Sequence, residues 1–311
     1  MEKIRGDNVS GSQAITRRAA ALVEDWLAGV SSEARDAEGA RRARRDIEDR
    51  LPELAAALIN AHPAMAPLYN LFDSLLLCMD ETAPGEDACA RLARTAAAFV
   101  EGMDEHNQAI ARHFSEVIDN DAAIFTHSAG STVRAALLHS VQAGRRVTVH
   151  CTESRPLCEG TALAQDLARA GIATTLTADS LAFSLLRQAR DPVLAAGADA
   201  ITADGVINKA GTLGLATAAR SWGIPFYVLA GSEKFLPAVS PDALRQERPA
   251  AEILARASAG LRVVNRYFDL TPLDCVTGIV TERGIVTARE SARELAGMEI
   301  RSRLTGAARR V

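Results

Sequence analysis

Two different spacings of apolar residues divide the chain. From Ile15 the positions Ile15, Ala19, Leu22, Val23, Trp26, Leu27 and Val30 recur at helical intervals, which predicts an amphipathic helix. The segment EARDAEGARRARRDIEDR is dense in charge, yet Glu38 with Arg42 and Arg42 with Asp46 stand four apart and can pair along one helix face. It reads as a solvated helix. LPELAAALINAHPAMAPLYNLFDSLLLCM continues helical with a break at HPAMAP, where Pro63 and Pro67 interrupt the hydrogen-bond ladder. After the loop DETAPGEDA, a long helix is predicted from about Cys89 to Val117, with Leu92, Phe99, Met103, Ile110, Phe114 and Val117 on its apolar side. Residues 1–118 are expected to form an N-terminal helical domain.

After Asp119 the pattern changes. Short apolar runs rich in β-branched residues, AAIFTH, RRVTVHCTE, ATTLTAD, AITADG and IPFYVLAG, alternate with the helical segments STVRAALLHSVQAG, GTALAQDLARAG, LAFSLLRQAR and GTLGLATAARSWG. Strand and helix alternating every ~25 residues predict an α/β fold with a Rossmann-like, doubly wound parallel sheet over residues 119–311. Gly144 and Gly171 sit where a left-handed helix cap is wanted. VVNRYFDLTPLDCVTGIVTERGIVT adds extended C-terminal elements, and KFLPAVSPDALRQERPA is the one long connection that could act as a flap.

A chain of 311 residues with 48% apolar and 24% charged residues has enough apolar side chain for one large or two linked soluble domains. The net charge of −4 offers no global field for nucleic acid or anionic membranes, so neither is an expected partner. No stretch approaches the roughly 18 apolar residues of a membrane span, and MEKIRGDNVSGS lacks the core of a signal peptide, so a cytoplasmic location is expected. The five cysteines form no CxxC pair and the six histidines no HExxH, so neither a metal nor another cofactor is expected. GVINKAGTLG has the wrong spacing for a dinucleotide glycine motif, and G-x-S-x-G is absent around Ser128.

In an open parallel sheet, ligands bind outside the carboxyl ends of the strands, so the residues predicted there carry the functional reading. The first strand leads into THSAGSTVRAAL. Its Ser128–Thr132 turn is either an ordinary N-capped turn, with Ser131 or Thr132 satisfying the helix donors, or a cradle of backbone N–H groups for an anion. The second leads to Glu153, Ser154 and Arg155, where an ion pair between Glu153 and Arg155 is as good a reading as a ligand contact. Asp179 and Ser180 end the third. Asp199, Asp204, Asn208 and Lys209 follow, and the last strand leads to Ser232 and Lys234. Cations, carboxylates and small hydroxyl residues together suit a sugar phosphate or nucleotide.

These motifs resemble those of the alpha/beta/delta regulatory subunits of eukaryotic initiation factor 2B, with methylthioribose-1-phosphate isomerase and ribose-1,5-bisphosphate isomerase. The matching stretches are TESRPLCEGTALAQDLARAGI, GADAITADGVINKAGTLGLATAARSWGIPFYVLAGSEKF and FDLTPLDCVTGIVTERGIV, with fainter matches at VSGSQAI and HPAMAPLYNLF. The resemblance implies an N-terminal helical domain, a Rossmann-like domain, a homodimer or multiple of dimers, and a phosphosugar site. It assigns Asp199 as the acid/base of an aldose-to-ketose isomerisation and Ser128 to the position of the isomerases' catalytic Cys. It places Gly130, Ser131, Thr132, Asn208, Lys209 and Lys234 at ligand-binding positions. Arg155, in TESRP, joins them as the cation at the second strand end. Gly11 and Ser12, after Ser10, stand at the isomerases' early RGA motif, and His62 replaces the arginine of their RPT motif. A serine alkoxide is much harder to form than a thiolate, whose ordinary pKa is about 8.5. The alternative implied by the same family is a regulatory protein that binds a sugar phosphate or nucleotide without turning it over.

Overall fold

The computed structural model describes residues 1–34, 36–298 and 304. The helices of the first part are α1 (Glu2–Arg5), α2 (Ser12–Glu33), α3 (Ala37–Ala61), α4 (Ala66–Glu81) and α5 (Ala88–Val117). The apolar stripe read from the sequence is the buried face of α2, where Ile15, Ala19, Val23 and Leu27 are all inside. The charged segment is solvated as expected. Glu38 pairs with Arg42 at 3.6 Å, while Asp46 is taken by Arg50 at 3.1 Å. These exposed pairs add little stability; α3 is held instead by Ile47, Leu51, Ala55 and Leu58 on its inner side. Contacts divide the chain inside α5: residues up to Asp104 belong to a helical unit, and Glu105–Gly297 form a second unit with the sheet.

The sheet unit continues with β1 (Ala122–Thr126), α6 (Ser131–Gln142), β2 (Val147–Thr152), α7 (Glu159–Arg169), β3 (Ala173–Thr177), α8 (Ala182–Gln188) and β4 (Pro192–Ala196). Then come β5 (Ala200–Thr202), β6 (Gly205–Lys209), α9 (Thr212–Ser221), β7 (Phe226–Leu229), α10 (Pro241–Arg245), β8 (Phe268–Thr271), β9 (Gly278–Thr281), β10 (Gly284–Val286) and α11 (Ala288–Ala296). The main sheet has the order β10-β9-β7-β4-β1-β2-β3 and is parallel except for the β9–β10 hairpin. β1 is buried at every position, as a central parallel strand covered on both faces must be. Gly144 and Gly171 do take the left-handed backbone after α6 and α7. On one side of the sheet Ile110 and Phe114 of α5 join Leu137 of α6, Leu167 of α7, Ile124 and Val149 in a single apolar cluster. Among the described residues no helix is long and apolar enough to cross a membrane.

One strand assignment needs correction. The fourth strand of the parallel sheet is Pro192–Ala196, not AITADG. PVLAA is short, Ala-rich and led by a proline, so its propensity is weak; burial between β1 and β7 makes it a strand. AITADG instead supplies β5 and the turn to β6, with Thr202 opposite Gly205, in a three-stranded antiparallel sheet β5-β6-β8. Gly205 at φ +146° allows that turn, and a Cβ there would lie 2.3 Å from the Thr271 carbonyl oxygen.

Phe114 is fully buried in the cluster that ties α5 to the sheet. Phe114→Ala is expected to lower the unfolding free energy of the sheet unit by about 3–5 kcal/mol, from lost burial plus the cavity left behind. Urea denaturation followed by circular dichroism measures it.

Candidate functional site

The strand order reverses between β1 and β4: the chain winds outward through β2 and β3 on one side and through β7 and β9 on the other. Such a switch point is where open α/β sheets place their ligands. Gly130 and Gly197 meet there, since a Cβ on Gly130 would come within 3.8 Å of the Gly197 Cα.

His127 fixes the turn after β1. Its Nε2 donates to the Ala210 carbonyl at 2.9 Å, leaving Nδ1 to accept from Thr152 Oγ1 at 2.6 Å. Burial lowers its pKa, so the ring is neutral and suited to one donor and one acceptor role. Ser128 then turns left-handed at φ +71°, its N–H donating to Ser154 Oγ at 2.7 Å. Thr132 Oγ1 donates to Asn107 Oδ1 at 2.7 Å. α6 begins after Gly130, so a glycine stands at the N-cap position and Ser131 and Thr132 lie in the first turn.

After β2, the Asp179 carboxylate accepts from the Ser154 and Arg155 N–H groups at 2.7 and 2.8 Å. The Arg155 guanidinium is exposed and donates to the Glu252 carbonyl at 3.3 Å, so its partner is the backbone of a later loop rather than Glu153. Lys209, at the end of β6, is buried and pairs with Glu159 Oε1 at 2.6 Å, and the Ser128 hydroxyl donates to the same oxygen at 3.1 Å. Lys209 Nζ also lies 4.9 Å from the centre of the Tyr267 ring, and the Arg248 guanidinium 4.7 Å from it. Tyr267 donates its hydroxyl to Glu252 Oε1 at 2.6 Å, and Asn265 Nδ2 donates to the other Glu252 oxygen at 2.7 Å. The stretch expected as a flap is thus tied down at its C-terminal end. Asn208 is buried and spends Nδ2 on Thr212 Oγ1 at 3.0 Å. Asp269, opposite Asn208 across β6 and β8, accepts from the Gly211 and Leu213 amides at the start of α9; burial pushes its carboxyl up to about 6.

A second group lies beyond β7. Lys234 is buried; desolvation lowers its pKa while the Asp199 and Glu233 carboxylates pull it back up. Glu233 is also buried. Burial raises its carboxyl, but a 2.8 Å hydrogen bond from His106 Nδ1 and the Lys234 charge outweigh that and hold it below the ordinary value. Its carboxylate folds over Gly231, where a Cβ would lie 2.1 Å from Oε2. Glu282 accepts from the Ser232 N–H at 3.0 Å.

Ser128 and Lys209 therefore come together through Glu159, and Asp199 with Lys234 through mutual charge. Gly11, Ser12 and His62 belong to the helical unit. Gly11 precedes α2, buried Ser12 starts it, and His62 ends α3 with Nε2 donating to the Ile4 carbonyl at 2.7 Å. Glu159, Tyr267, Arg248, His106 and Glu233 were not read from the sequence. Glu159 had a signal, because it directly follows TESRPLC in a matched motif. Cys151 is wholly buried with its thiol pushed up to about 12 by desolvation, so it is no stand-in for a reactive thiol.

The fold and site define a helical unit followed by a mostly parallel α/β unit, with lysine–carboxylate clusters at the strand ends. The Initiation factor 2 subunit family model matches residues 8–288, and the chain belongs to that family. It is 35% identical over 259 residues to a methylthioribose-1-phosphate isomerase from Gemmatimonas aurantiaca, covering 79% of this chain and 75% of the relative. It is 30% identical over 290 residues to a ribose 1,5-bisphosphate isomerase from Archaeoglobus fulgidus, covering 92% and 88%. Its fold matches the crystal structure of the translation initiation factor eIF-2B from Pyrococcus horikoshii with a TM-score of 0.78 and 31% identity, covering 94% of this chain and 96% of that one.

The hydrogen bond from His106 to Glu233 raises the histidine pKa above its ordinary 6.5. A histidine raised by folding contributes stability that is full below 6.5 and fades as pH rises through the folded value. Glu233→Gln is expected to return the His106 titration toward or below 6.5 and to remove this fading of stability above pH 6.5. Proton NMR of the imidazole signals measures the first, and denaturation at several pH values the second.

Proposed function

We propose that the protein is a sugar-phosphate isomerase that converts an aldose 1-phosphate into a ketose 1-phosphate. Lys209, Lys234, Asn208, Arg155 and the Ser128–Thr132 turn hold the ligand, and Asp199 acts as acid/base. The observation that carries the reading is the gathering of buried Lys209 and Lys234 with carboxylates at the carboxyl ends of the strands, in a chain whose relatives include two sugar-phosphate isomerases. The reaction breaks the bond from C1 to the ring oxygen, removes hydrogen from C2 and its hydroxyl, and adds hydrogen to C1 and to the former ring oxygen. Nothing is oxidised or reduced overall. Asp199 is half-buried and close enough to Lys234 for their charges to interact, and a carboxylate is one of the groups that serve such proton movements. The protein acts as a homodimer or a multiple of dimers in the cytoplasm on this reading.

One observation favours a second reading. Residue 128 is a serine hydroxyl engaged with Glu159, where the isomerases carry a thiol. The chain would then bind a sugar phosphate or nucleotide as a regulator without turning it over.

Phosphorus NMR of the purified protein with ribose 1,5-bisphosphate, ribose 1-phosphate, 5-deoxyribose 1-phosphate and methylthioribose 1-phosphate is expected to show a growing ketose-phosphate signal in one sample. Asp199→Asn is expected to slow that conversion about 100-fold or more while ligand affinity stays within a few-fold. Normal turnover in the variant would remove Asp199 from its role. Signals that broaden with the wild type but never convert would favour the regulator.

A further inference from the structure

Glu233 and Lys234 are neighbours in sequence and both are buried, in a turn of the sheet unit that is tightly fixed. Glu282 accepts the Ser232 N–H at 3.0 Å, the Gly231 carbonyl accepts the Lys234 N–H at 2.9 Å, and the Ile201 carbonyl accepts the Leu236 N–H at 2.9 Å. The Glu233 side chain folds back over Gly231, where it takes the 2.8 Å hydrogen bond from His106 Nδ1 on α5. This seat exists because residue 231 has no side chain: a Cβ there would lie 2.1 Å from Oε2 and 3.0 Å from Oε1. The Gly231 backbone, at φ −74° and ψ 167°, is open to any residue, so what the glycine provides is room.

His106 is half-buried, and the carboxylates of Glu233, Glu282 and Glu105 all favour its charged form. Its Nδ1–H donates in the charged ring and in the neutral tautomer that faces a carboxylate, so the bond to Glu233 persists through that titration. The result shows at Lys234, on which the charge of Asp199 acts more strongly than that of its own chain neighbour Glu233. A buried carboxylate needs a partner, and Lys234 also acts on Glu233. Without His106 the carboxylate has that lysine to turn to.

An ammonium matched by an adjacent carboxylate offers a phosphate no net charge, so the place of the Glu233 carboxylate decides how well Lys234 can hold one. We propose that His106 is a positioning residue: by holding the Glu233 carboxylate over Gly231 it keeps Glu233 from neutralising Lys234, and so leaves that lysine to the phosphate of a ligand. This rests on the sugar-phosphate reading above, in which Lys234 is a ligand contact and His106 and Glu233 are not.

Calorimetric titration with ribose 1-phosphate and NMR of the lysine side chains test it together. The chain has three lysines, Lys3, Lys209 and Lys234, so carbon-13 lysine labelling follows each of them, with Lys234→Arg to assign the signal of interest. In His106→Ala, ribose 1-phosphate is expected to bind about tenfold or more weakly, and Lys234 to titrate at higher pH than in the wild type, because Glu233 now pairs with it. Adding Glu233→Gln to His106→Ala is expected to bring affinity back to within a few-fold of wild type and the Lys234 titration back down, since the competing carboxylate is gone. A residue that merely supports the turn predicts a double variant no better than the single one. Gly231→Ala, whose Cβ pushes Glu233 off its seat while His106 and Lys234 are kept, is expected to repeat the loss, so it serves if His106→Ala fails to fold. A double variant as weak as His106→Ala, or a Lys234 titration that no variant moves, would overturn the inference. A wild type that binds ribose 1-phosphate no better than inorganic phosphate would overturn the sugar-phosphate reading; the Lys234 titration needs no ligand and still decides whether His106 keeps Glu233 from the lysine.

Discussion

Much of the polar chemistry of the sheet unit depends on β1 lying between β2 and β4. Because β1 is buried on both faces, it has no solvated side, and its polar groups gather only where the strand stops. Because the winding reverses beside it, the loops after β1 and β4 leave the sheet at its switch point, where open α/β sheets place their ligands. His127 is the first side chain past the strand, and its two ring nitrogens bind β2 through Thr152 and the start of α9 through Ala210. One neutral imidazole thus fixes the exit of β1 to two other elements. The left-handed backbone of Ser128, the bond to Ser154 and the reach to Glu159 follow from that fixed exit.

The two lysines show how the fold places cations inside without leaving them alone. Removing a charge from water is costly, and a partner at hydrogen-bond distance restores only part of that cost. Lys209 has Glu159 and the Tyr267 ring. Lys234 has Asp199 and Glu233, and Glu233 in turn has His106. In both cases the carboxylate comes from a different element than the lysine's principal neighbour in sequence would suggest, except for Glu233, which is adjacent and folds back over Gly231. Fully matched charges of this kind do little for stability compared with apolar packing, but they hold lysine ends in one place.

The architecture was legible because it rests on local patterns. Helical spacing along α2 and α5, the alternation after Asp119 and the cap positions Gly144 and Gly171 are all properties of neighbouring residues. Where local pattern was weak, tertiary burial decided: PVLAA became a central strand despite poor propensity, and AITADG left the main sheet because its Gly205 turn reverses the chain at once. The site was legible only on one side of each contact. Lys209 and Lys234 could be nominated as cations at strand ends, but Glu159, Tyr267 and His106 meet them from distant parts of the chain, and no spacing in a single sequence records such a meeting. Arg155 shows the converse. Its nearest carboxylate in sequence, Glu153, offered a local pairing, yet the guanidinium reaches the Glu252 backbone because Asp179 has already fixed the turn's amides in another direction.

Ser128 is where the chemistry of this chain and of its isomerase relatives has to be reconciled. A thiol at that position could ionise near neutral pH, whereas a hydroxyl donating to a carboxylate becomes a better hydrogen-bond donor to Glu159 without approaching ionisation. The carboxylate that meets the turn is Glu159. If the chain moves protons on a sugar, Asp199 is the carboxylate proposed to exchange them, and Ser128 stays a fixed donor to Glu159. If it does not, the same arrangement still holds the turn against α7. Both outcomes require the same thing of the fold, that β1 end against β2 so that residue 128 faces α7.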